Sequence, residues 1–404
     1  MAFIKHSITS KWKPDAVFSI VAKYNDYVSK YGKENAINAT IGSLCDEEGK
    51  LVTFNCVFEN EKMIPAEKKA SYANLKGDPS YIKAMQDFIL DGNTALYHDA
   101  VATPGGTGAV FLGFDLMLDA GESIILPEVA WGSYRLMADE FNFDVVNYDI
   151  YDLDDMLSKV EMVGRKQGKV LLVINSPCQN PCGLSYTDEQ WERIVNKLND
   201  VSEYAEVILL NDIAYIDYAF DPKKARKYFR IFDKLAPNVL LLVAASTSKS
   251  FSYYGQRLGA LIILSQDEMI VEEVEKACEL KGRCTWSNGN HGAMVNVAEI
   301  LNDHLDEYLK EKDEYLKMLK ARAELFLLEA KEVGLEHYPY DEGFFITLKM
   351  EDNRMRDEIH QRLLDQAIFS IKCQKGIRLA ICSMSLTSIA GLAKKIKEVY
   401  CYGK

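Results

Sequence analysis

The sequence predicts an α/β fold, with a mostly parallel sheet in a large domain and a smaller α+β domain beside it. Between about residues 68 and 266, short apolar runs alternate with longer helical patterns, and after residue 290 a long amphipathic stretch replaces that alternation. At 404 residues the chain is also longer than one hydrophobic core usually supports. We therefore expect a large domain of residues 49–295 and a small domain built from residues 1–48 and 296–404.

The strand candidates of the large domain are rich in Val, Ile and Leu and nearly continuous in apolarity, which is typical of strands covered on both faces. Helical patterns lie between most of them; one begins at Thr107 and another at Thr187, which forms a capping-box pattern with Gln190. Repetition of strand, helix and strand predicts a parallel sheet with right-handed crossovers. The candidates are Ser123–Leu126, Val145–Tyr148, Val170–Asn175, Val207–Asn211, Val239–Ala245 and Leu258–Leu264.

The predicted small domain contains a long amphipathic helical region, from about residue 290 to residue 332, and two short strand candidates, Phe344–Met350 and Ile377–Cys382. The first ~45 residues show no strand–helix alternation, so we expect them to pack with this unit. Because no Gly/Ser-rich or Pro-rich linker is found, a helix is expected to join the domains.

Composition and charge exclude several classes of protein. The net charge is -13, from 47 basic and 60 acidic residues, and such a surface repels phosphodiester backbones, which argues against nucleic acid as a partner. The first 15 residues lack the apolar stretch of a signal peptide, and the longest apolar runs are too short to span a membrane. The nine cysteines have no metal-ligand spacing, so we expect no metal site and reduced thiols in a cytoplasmic protein.

We expect four polar segments at the carboxyl ends of strands, the edge where open parallel sheets bind ligands. The first is Ser246-Thr-Ser-Lys249, with Arg257 eight residues beyond the lysine. A lysine just past a buried strand can be desolvated, which lowers its pKa and makes it nucleophilic towards an aldehyde. Ser246 and Arg257 are good partners for a phosphate. The alternative, which a lone lysine would favour, is a solvated loop residue.

The second segment places Asp212 at the end of a buried strand and Tyr215 three residues later. A carboxylate in that position would keep a pyridine nitrogen protonated and the ring electron-withdrawing, and the phenol could bind a ring oxygen. The alternative is an N-cap aspartate that starts the next turn.

The other two segments are loops rich in proline and glycine. Asn180 lies between two prolines after a buried strand, and its backbone is held extended by Pro181, so its amide could donate to a phenolate oxygen. A plain turn is the alternative. Gly105, Gly106 and Thr107 open a helix, where backbone N–H groups could close around a phosphate. The glycine spacing fits neither a Walker A loop nor a dinucleotide fingerprint.

In order, residue type and spacing, these segments resemble the fold-type-I, class I aminotransferase family, of which aspartate aminotransferase is the best-known member. The resemblance covers nearly the whole chain, and its sharpest motifs are Ser246-x-x-Lys249, Arg257, Asp212-x-x-Tyr215 and Asn180-Pro-Cys-Gly. It implies the three-layer large domain of that fold type, pyridoxal 5'-phosphate as cofactor, a transaminase activity, and a homodimer with shared active sites.

The resemblance also implies roles for the motif residues. Lys249 would hold the cofactor as a Schiff base and carry the proton of the reaction, and Asp212 would pair with the pyridinium nitrogen. Trp131 is similar to the aromatic residue that stacks on the cofactor ring, although a core tryptophan is the alternative. Tyr72 resembles the tyrosine that reaches the neighbouring subunit's phosphate. Tyr215 and Asn180 would bind the ring hydroxyl oxygen, and Gly105, Gly106, Thr107, Ser246 and Arg257 would form the phosphate cup.

Substrate recognition is assigned by the same resemblance. Arg378, inside an apolar strand pattern, would bind the substrate α-carboxylate with Gly42 and Asn180, although a structural ion pair is the alternative. Arg283, in Arg283-Cys-Thr-Trp-Ser-Asn288, resembles the arginine of aspartate and aromatic aminotransferases that crosses the dimer interface to a distal carboxylate.

Some residues depart from the aspartate enzymes. Tyr134 and Asn175 stand where those enzymes usually have histidines behind the pyridinium aspartate, and Gly105 replaces a phosphate-binding serine. An arginine such as Arg283 can serve aspartate and glutamate directly or swing aside for an aromatic ring. We therefore favour transfer of an amino group between a dicarboxylic or aromatic L-amino acid and 2-oxoglutarate, and the sequence does not determine the preferred donor.

Three alternative functions use the same motifs. A pyridoxal-phosphate C–S β-lyase would use the same lysine but would need no partner for a distal carboxylate, and an aminotransferase of another specificity, such as alanine, is a further possibility. A cofactor-binding regulator would carry an N-terminal DNA-binding domain, for which the large domain begins too early and the charge is too acidic.

Overall fold

The computed structural model describes residues 3–4, 11 and 15–401, the last of these without its side chain. Residues 1–2, 5–10, 12–14 and 402–404, which belong to the predicted small domain, lie outside the described residues. Within the described part of the chain, every helix is too short or too polar to span a bilayer.

Within residues 15–401, seven strands form the main sheet, in the order β2-β8-β7-β6-β5-β3-β4. All neighbours pair in parallel except β8, which is antiparallel to both β2 and β7. The predicted α/β fold with a mostly parallel sheet is thereby confirmed. The strands are β2 (Tyr97–Thr103), β3 (Ser123–Pro127), β4 (Asp144–Tyr148), β5 (Lys169–Asn175), β6 (Glu206–Asp212), β7 (Val239–Ser246) and β8 (Gly259–Ser265).

All six predicted strands of the large domain are present, but β2 was not predicted from the sequence. Its first residues, Tyr97 and His98, are exposed, and only its second half is buried. The strand therefore lacks the continuous apolar run by which its neighbours were identified.

The inner strands of the sheet are buried on both faces, as the apolar runs predict, whereas the edge strand β4 is only partly buried. Along β5, Leu171 and Val173 belong to one hydrophobic cluster, whereas Leu172 and Ile174 belong to another on the opposite face. Successive side chains of a strand point to opposite faces, so each strand contributes to both clusters.

Helices cover the two faces of this sheet. The capping box that begins the helix after Thr187 is present, while the helix predicted from Thr107 begins at Gly105. The helices up to residue 303 are α1 (Ala16–Tyr31), α2 (Asn55–Met63), α3 (Ala66–Ala70), α4 (Pro79–Leu90), α5 (Gly105–Met117), α6 (Gly132–Phe141), α7 (Leu153–Gln167), α8 (Asp188–Ser202), α9 (Thr247–Ser250), α10 (Glu268–Thr285) and α11 (His291–Asp303). Short 3₁₀ segments occupy Lys33–Asn35, Ile216–Tyr218, Lys224–Lys234 and Ile381–Ser383.

The carboxyl-terminal part builds a second, smaller sheet. The long amphipathic region is divided at His304 into α11 and α12, and the predicted strands shorten to β9 and β12. Strand β12 pairs antiparallel with both β9 and β11, and the short strands β1 and β10 pair in parallel. These elements are β1 (Ile37–Asn38), α12 (Leu305–Val333), β9 (Phe345–Lys349), α13 (Asn353–Asp365), β10 (Ile368–Phe369), β11 (Ile371–Cys373), β12 (Gly376–Ala380), α14 (Leu386–Ile389) and α15 (Leu392–Cys401).

Candidate active site

The four polar segments meet at one edge of the main sheet. Asn175, Asp212 and Ser246 are the last residues of the parallel strands β5, β6 and β7. Thr103, which ends β2, and Ser246 are both paired with Gly259 at the start of β8. The glycine loop after β2, the lysine after β7 and the arginine before β8 therefore lie at the same edge.

Lys249 lies on the single turn α9 that follows β7. Its Nζ donates to the carbonyl of Gly42 at 3.0 Å and lies 4.6 Å from the centre of the Tyr254 ring. Burial lowers the pKa of Lys249 to about 8, and the positive charges of Arg378 and Arg257 act in the same direction. A substantial fraction of the amine is therefore neutral near physiological pH, which makes it a nucleophile and a proton acceptor.

Asp212 presents a buried carboxylate at the same edge. Its Oδ2 accepts a hydrogen bond from the hydroxyl of Tyr134 at 2.5 Å, and its Oδ1 accepts one from the backbone N–H of Ala214 at 3.0 Å. Asn175 fixes the backbone by donating to the Asp212 carbonyl at 2.8 Å. Burial raises the pKa of the carboxyl, although both hydrogen bonds oppose that shift. Since both donors are uncharged, a cationic partner would stabilise the carboxylate further.

Asn180 connects Tyr215 with Arg378. Its amide lies 3.5 Å from the Tyr215 hydroxyl and accepts from Nη1 of Arg378 at 3.1 Å, while Nη2 of the arginine donates to the Thr40 carbonyl at 2.7 Å. The Arg378 Nε is buried and has no hydrogen-bond partner among the described residues. Because an unpaired buried N–H is costly, this guanidinium favours an anionic ligand that can accept from it.

The glycine loop and Arg257 together form a cup lined by hydrogen-bond donors. Gly105 has φ +73°, and a Cβ built on it would lie 2.8 Å from Nη2 of Arg257. A Cβ on Gly106 would lie 3.0 Å from the Cβ of Ser246. The first-turn N–H groups of α5 therefore lie beside a guanidinium and a hydroxyl, which suits a phosphate. Thr107 is exposed in this first turn.

Trp131 immediately precedes α6 and packs against Tyr134. It is half-buried, and its ring packs edge-on against Tyr134 with centroids 5.4 Å apart. Tyr134 is in turn the residue that donates to Asp212. The side chain packs against the hydrophobic core and is partly exposed, so its stacking on a planar ligand stays a prediction.

Tyr72 and Arg283 do not join the Lys249 group in the contacts of the described single chain. Both are exposed and line an open depression of about 1130 Å³ whose lining residues include none of the Lys249 group. Arg283 donates to the Ser287 hydroxyl, and Asn288 accepts from the Ala73 N–H at 3.0 Å, so the two loops are joined to each other.

Tyr254 and Phe345 also belong to this site, although sequence reasoning assigned them no role. Tyr254 packs against the Lys249 amine and accepts from the Leu44 N–H at 2.9 Å, and Phe345 lies 4.3 Å from the Arg378 guanidinium. Their aromatic character was visible, but nothing local in the sequence shows which charged group an aromatic ring will cover.

The chain resembles known proteins over most of its length. Residues 34–396 match the family described as aminotransferase class I and II. The aspartate aminotransferase of Escherichia coli (strain K12) is 25% identical over 311 residues, covering 74% of this chain and 77% of that protein. The crystal structure of an aminotransferase from Anaerococcus prevotii has a TM-score of 0.94 at 32% identity, with 100% of both chains covered. The aromatic-amino-acid aminotransferase of Burkholderia pseudomallei, described as covalently bound to pyridoxal phosphate, has a TM-score of 0.78 at 22% identity, covering 98% of this chain and 100% of that one.

Proposed function

The chain belongs to the aminotransferase class I and II family and is an aminotransferase, and from that premise we propose a pyridoxal-phosphate-dependent transamination. The amino group would move between an L-amino acid, dicarboxylic or aromatic, and 2-oxoglutarate. The observation that carries the proposal is that Lys249, the Asp212 carboxylate and the Gly105–Arg257 cup lie along one edge of the main sheet.

The residues at this edge fit pyridoxal phosphate in chemistry. The cup around Gly105 and Arg257 suits its phosphate, the Asp212 carboxylate has only uncharged donors and suits a protonated ring nitrogen, and the Lys249 amine suits its aldehyde. The remaining proposed contacts are Asn180 and Tyr215 with the ring hydroxyl oxygen, Trp131 with the ring face, and Gly106, Thr107 and Ser246 with the phosphate.

When bound, the cofactor supplies an electron-withdrawing ring that stabilises negative charge beside the amino nitrogen. The chain supplies the charges and the proton acceptor. Asp212 would hold a proton on the ring nitrogen, and Arg378 would orient the substrate through its α-carboxylate, which the unpaired Nε can engage. Lys249, whose pKa is about 8, would take a proton from the substrate carbon and return it, since a base with a pKa near the working pH is most effective.

Trapping the cofactor tests the central assignment. Purified protein should be yellow, and borohydride should fix the cofactor on the peptide that contains Lys249. The matched control is Lys249→Ala, which should give no labelled peptide in this region. Labelling on any other lysine would overturn the proposed site.

A donor screen and two arginine substitutions test the substrate proposal. We propose that Arg378 binds the α-carboxylate and that Arg283, from the neighbouring subunit, binds a distal carboxylate. A charge-assisted contact contributes about 1.5–3 kcal/mol, so its loss should lower kcat/KM by roughly ten- to over a hundredfold. Arg283→Leu should impair aspartate turnover far more than phenylalanine turnover, whereas Arg378→Leu should impair both.

The screen follows keto-acid product from aspartate, phenylalanine, tyrosine and alanine with 2-oxoglutarate, and pyruvate release from a cysteine conjugate without it. Equal substrate profiles for the two arginine variants would contradict the dicarboxylate proposal, and pyruvate release without 2-oxoglutarate would favour the β-lyase. We also propose that the protein is cytoplasmic and forms a homodimer. The homodimer is supported by the exposure of Tyr72 and Arg283, which line one open depression.

A further inference from the structure

Tyr134 is held rigidly behind Asp212. It lies on α6 with 1% of its surface exposed, and its ring packs edge-on against Trp131 at 5.4 Å and obliquely against Phe114 at 6.4 Å. Its hydroxyl donates to Oδ2 of Asp212 at 2.5 Å. A ring packed in this way has little freedom to turn away, so the hydrogen bond is fixed by the fold.

The titratable groups that face Tyr134 are weak acids, and a cation, Arg378, faces Tyr215. Tyr148 on β4 and Tyr215 after β6 are the titratable neighbours of Tyr134 besides Asp212 itself, and Arg378 and Cys382 face Tyr215. Asn175 on β5 contributes only a neutral amide. Burial, together with the nearby carboxylate, raises the pKa of Tyr134 well above the ordinary range of a phenol.

We propose that Tyr134 is a positioning residue that keeps Asp212 ionised by a hydrogen bond whose donor does not change its charge between about pH 5 and pH 9. The inference rests on the proposed function, in which Asp212 pairs with the protonated ring nitrogen of the cofactor. Tyr134 would then increase cofactor affinity indirectly, through its hydrogen bond to Asp212, and this contribution would not depend on pH.

Histidine would behave differently in the same place. Its imidazole changes from a neutral donor to a cation between about pH 5 and pH 8 as the pH falls. A cation beside Asp212 would favour the ionised form of its carboxyl group. In the Tyr134→His variant, cofactor affinity should therefore change with pH as the histidine titrates. In the natural protein, Tyr134 stays neutral over the same range and should cause no such change.

Pyridoxamine phosphate is the probe, because it carries the cofactor's ring and phosphate but has no aldehyde to react with Lys249. Its Kd for the apoprotein is measured by quenching of tryptophan fluorescence. Tyr134→Phe should weaken binding by about tenfold to a hundredfold, the range expected for one hydrogen bond to a charged group. Tyr148→Phe is the matched control: it removes another buried hydroxyl, which donates to the Val173 carbonyl and not to Asp212, and should leave the Kd unchanged.

Two further arms separate positioning from a general structural effect. With an analogue in which carbon replaces the ring nitrogen, the difference between Tyr134→Phe and the natural protein should disappear, because no charge faces Asp212. For Tyr134→His, the Kd divided by that of the natural protein at the same pH should change between about pH 5 and pH 8, as the imidazole gains or loses its proton. The ratio cancels the titration of the probe itself.

The outcomes are distinct. Failure of the natural apoprotein to bind pyridoxamine phosphate would refute the proposed function and this inference with it. Normal binding by the natural protein with an equal Kd for Tyr134→Phe, or an equal loss with the nitrogen-free analogue, would refute the role of Tyr134 alone. Should Tyr134→Phe fold poorly, the pH ratio of Tyr134→His decides, and a flat ratio would overturn the proposal.

Discussion

Lys249 illustrates how one residue acquires reactivity from its surroundings. An ordinary lysine amine is almost fully protonated at neutral pH and is then no nucleophile. Here, burial and two nearby guanidinium groups disfavour the charged form, while the Gly42 carbonyl still accepts from the amine. The amine is therefore partly neutral, which makes it reactive, and its orientation is fixed by the hydrogen bond to Gly42.

The reactivity of Lys249 should follow its lowered pKa. Because only the neutral amine attacks an aldehyde, the rate at which borohydride traps pyridoxal phosphate on apoprotein Lys249 should rise with pH through about 8. The same reaction on free N-α-acetyl-lysine, whose amine has an ordinary pKa of about 10.4, gives the reference profile. A Lys249 midpoint near that of the free amine would show that burial does not lower the pKa of this lysine.

At the scale of elements, the glycine loop after β2 and the start of β8 form the cup together. Gly105 adopts a left-handed conformation, and the space beside it is filled by Arg257, which is itself held by the Ser248 hydroxyl at 3.2 Å and the Tyr254 carbonyl at 2.9 Å. A side chain at residue 105 would displace the guanidinium.

Gly105→Ala should therefore damage both the fold and the cup. The positive φ should cost about 1 kcal/mol or more in free energy of unfolding, and displacement of Arg257 should weaken pyridoxamine phosphate binding at least tenfold. Gly255→Ala is the control, since a Cβ there meets no atom within 4 Å and its φ is not positive. Equal phosphate-ligand affinity in both variants would contradict the close approach of Arg257.

Another link between elements ties α12 to the loop after β6. Asp217 is fully buried and accepts from Arg226 at 2.8 Å and from Lys312 at 2.7 Å. Burial alone would raise the pKa of Asp217, but the two cations outweigh burial and lower it. Burial also lowers the pKa of Lys312, because one shared carboxylate does not offset desolvation and the nearby Arg226.

Asp217→Asn should be strongly destabilising, by about 3–5 kcal/mol in free energy of unfolding, because it leaves two buried cations without a counter-ion. Lys312→Met should cost less, since the Arg226–Asp217 pair remains. Chemical denaturation at several pH values measures both.

The pH dependence of that difference has a definite sign. Since the folded pKa of Asp217 is depressed, its stabilisation is fully present above the unfolded pKa of about 3.9 and is lost as pH falls towards the folded value. The stability difference between natural protein and Asp217→Asn should therefore shrink below about pH 4. A difference that grows on acidification would contradict the ion pairs.

On the scale of the whole molecule, α12 is hydrogen-bonded to the segments that follow β7 in the main sheet and β12 in the smaller sheet. Near its start Tyr308 donates to the Ser250 carbonyl at 2.7 Å, and further along Arg322 donates to the carbonyls of Cys45 at 2.9 Å and Cys382 at 3.0 Å. These contacts support the proposal that a helix joins two domains, whose boundaries at residues 49–295 stay a prediction.

Tyr72 and Arg283 can contribute to an active site as proposed only if two chains associate. A mixed dimer of a Lys249→Ala chain and an Arg283→Leu chain should keep one intact site and about half the natural activity with aspartate, if each arginine serves the other subunit. Differently tagged chains, co-expressed and purified on both tags, give this species. The matched control pairs Lys249→Ala with Arg257→Leu, which should leave no intact site because Lys249 and Arg257 belong to the same proposed site within one chain.

Activity of the first mixed dimer no higher than that of the Arg283→Leu homodimer would contradict the shared site. If sedimentation showed a monomer and that monomer were fully active, the proposed dimer would be contradicted.

The sequence by itself determined which strands are buried and which polar residues end them. Asp212 and Ser246 lie at the ends of apolar runs in the sequence. Their position at the sheet edge therefore follows from the strand pattern and from the common direction of parallel strands. The same reasoning predicted Lys249 at that edge, a few residues beyond β7. It missed β2, whose exposed first residues have no continuous apolar pattern.

Only the tertiary structure decided which groups meet across long stretches of chain. Tyr134 and Asp212 are 78 residues apart, and Lys249 and Gly42 are 207 apart. Neither pairing follows from a local pattern, because it depends on how α6 and the segment around Gly42 pack onto the sheet edge. The lowered pKa of Lys249 and the uncharged surroundings of Asp212 are products of that packing, since desolvation and hydrogen bonding depend on neighbours in space.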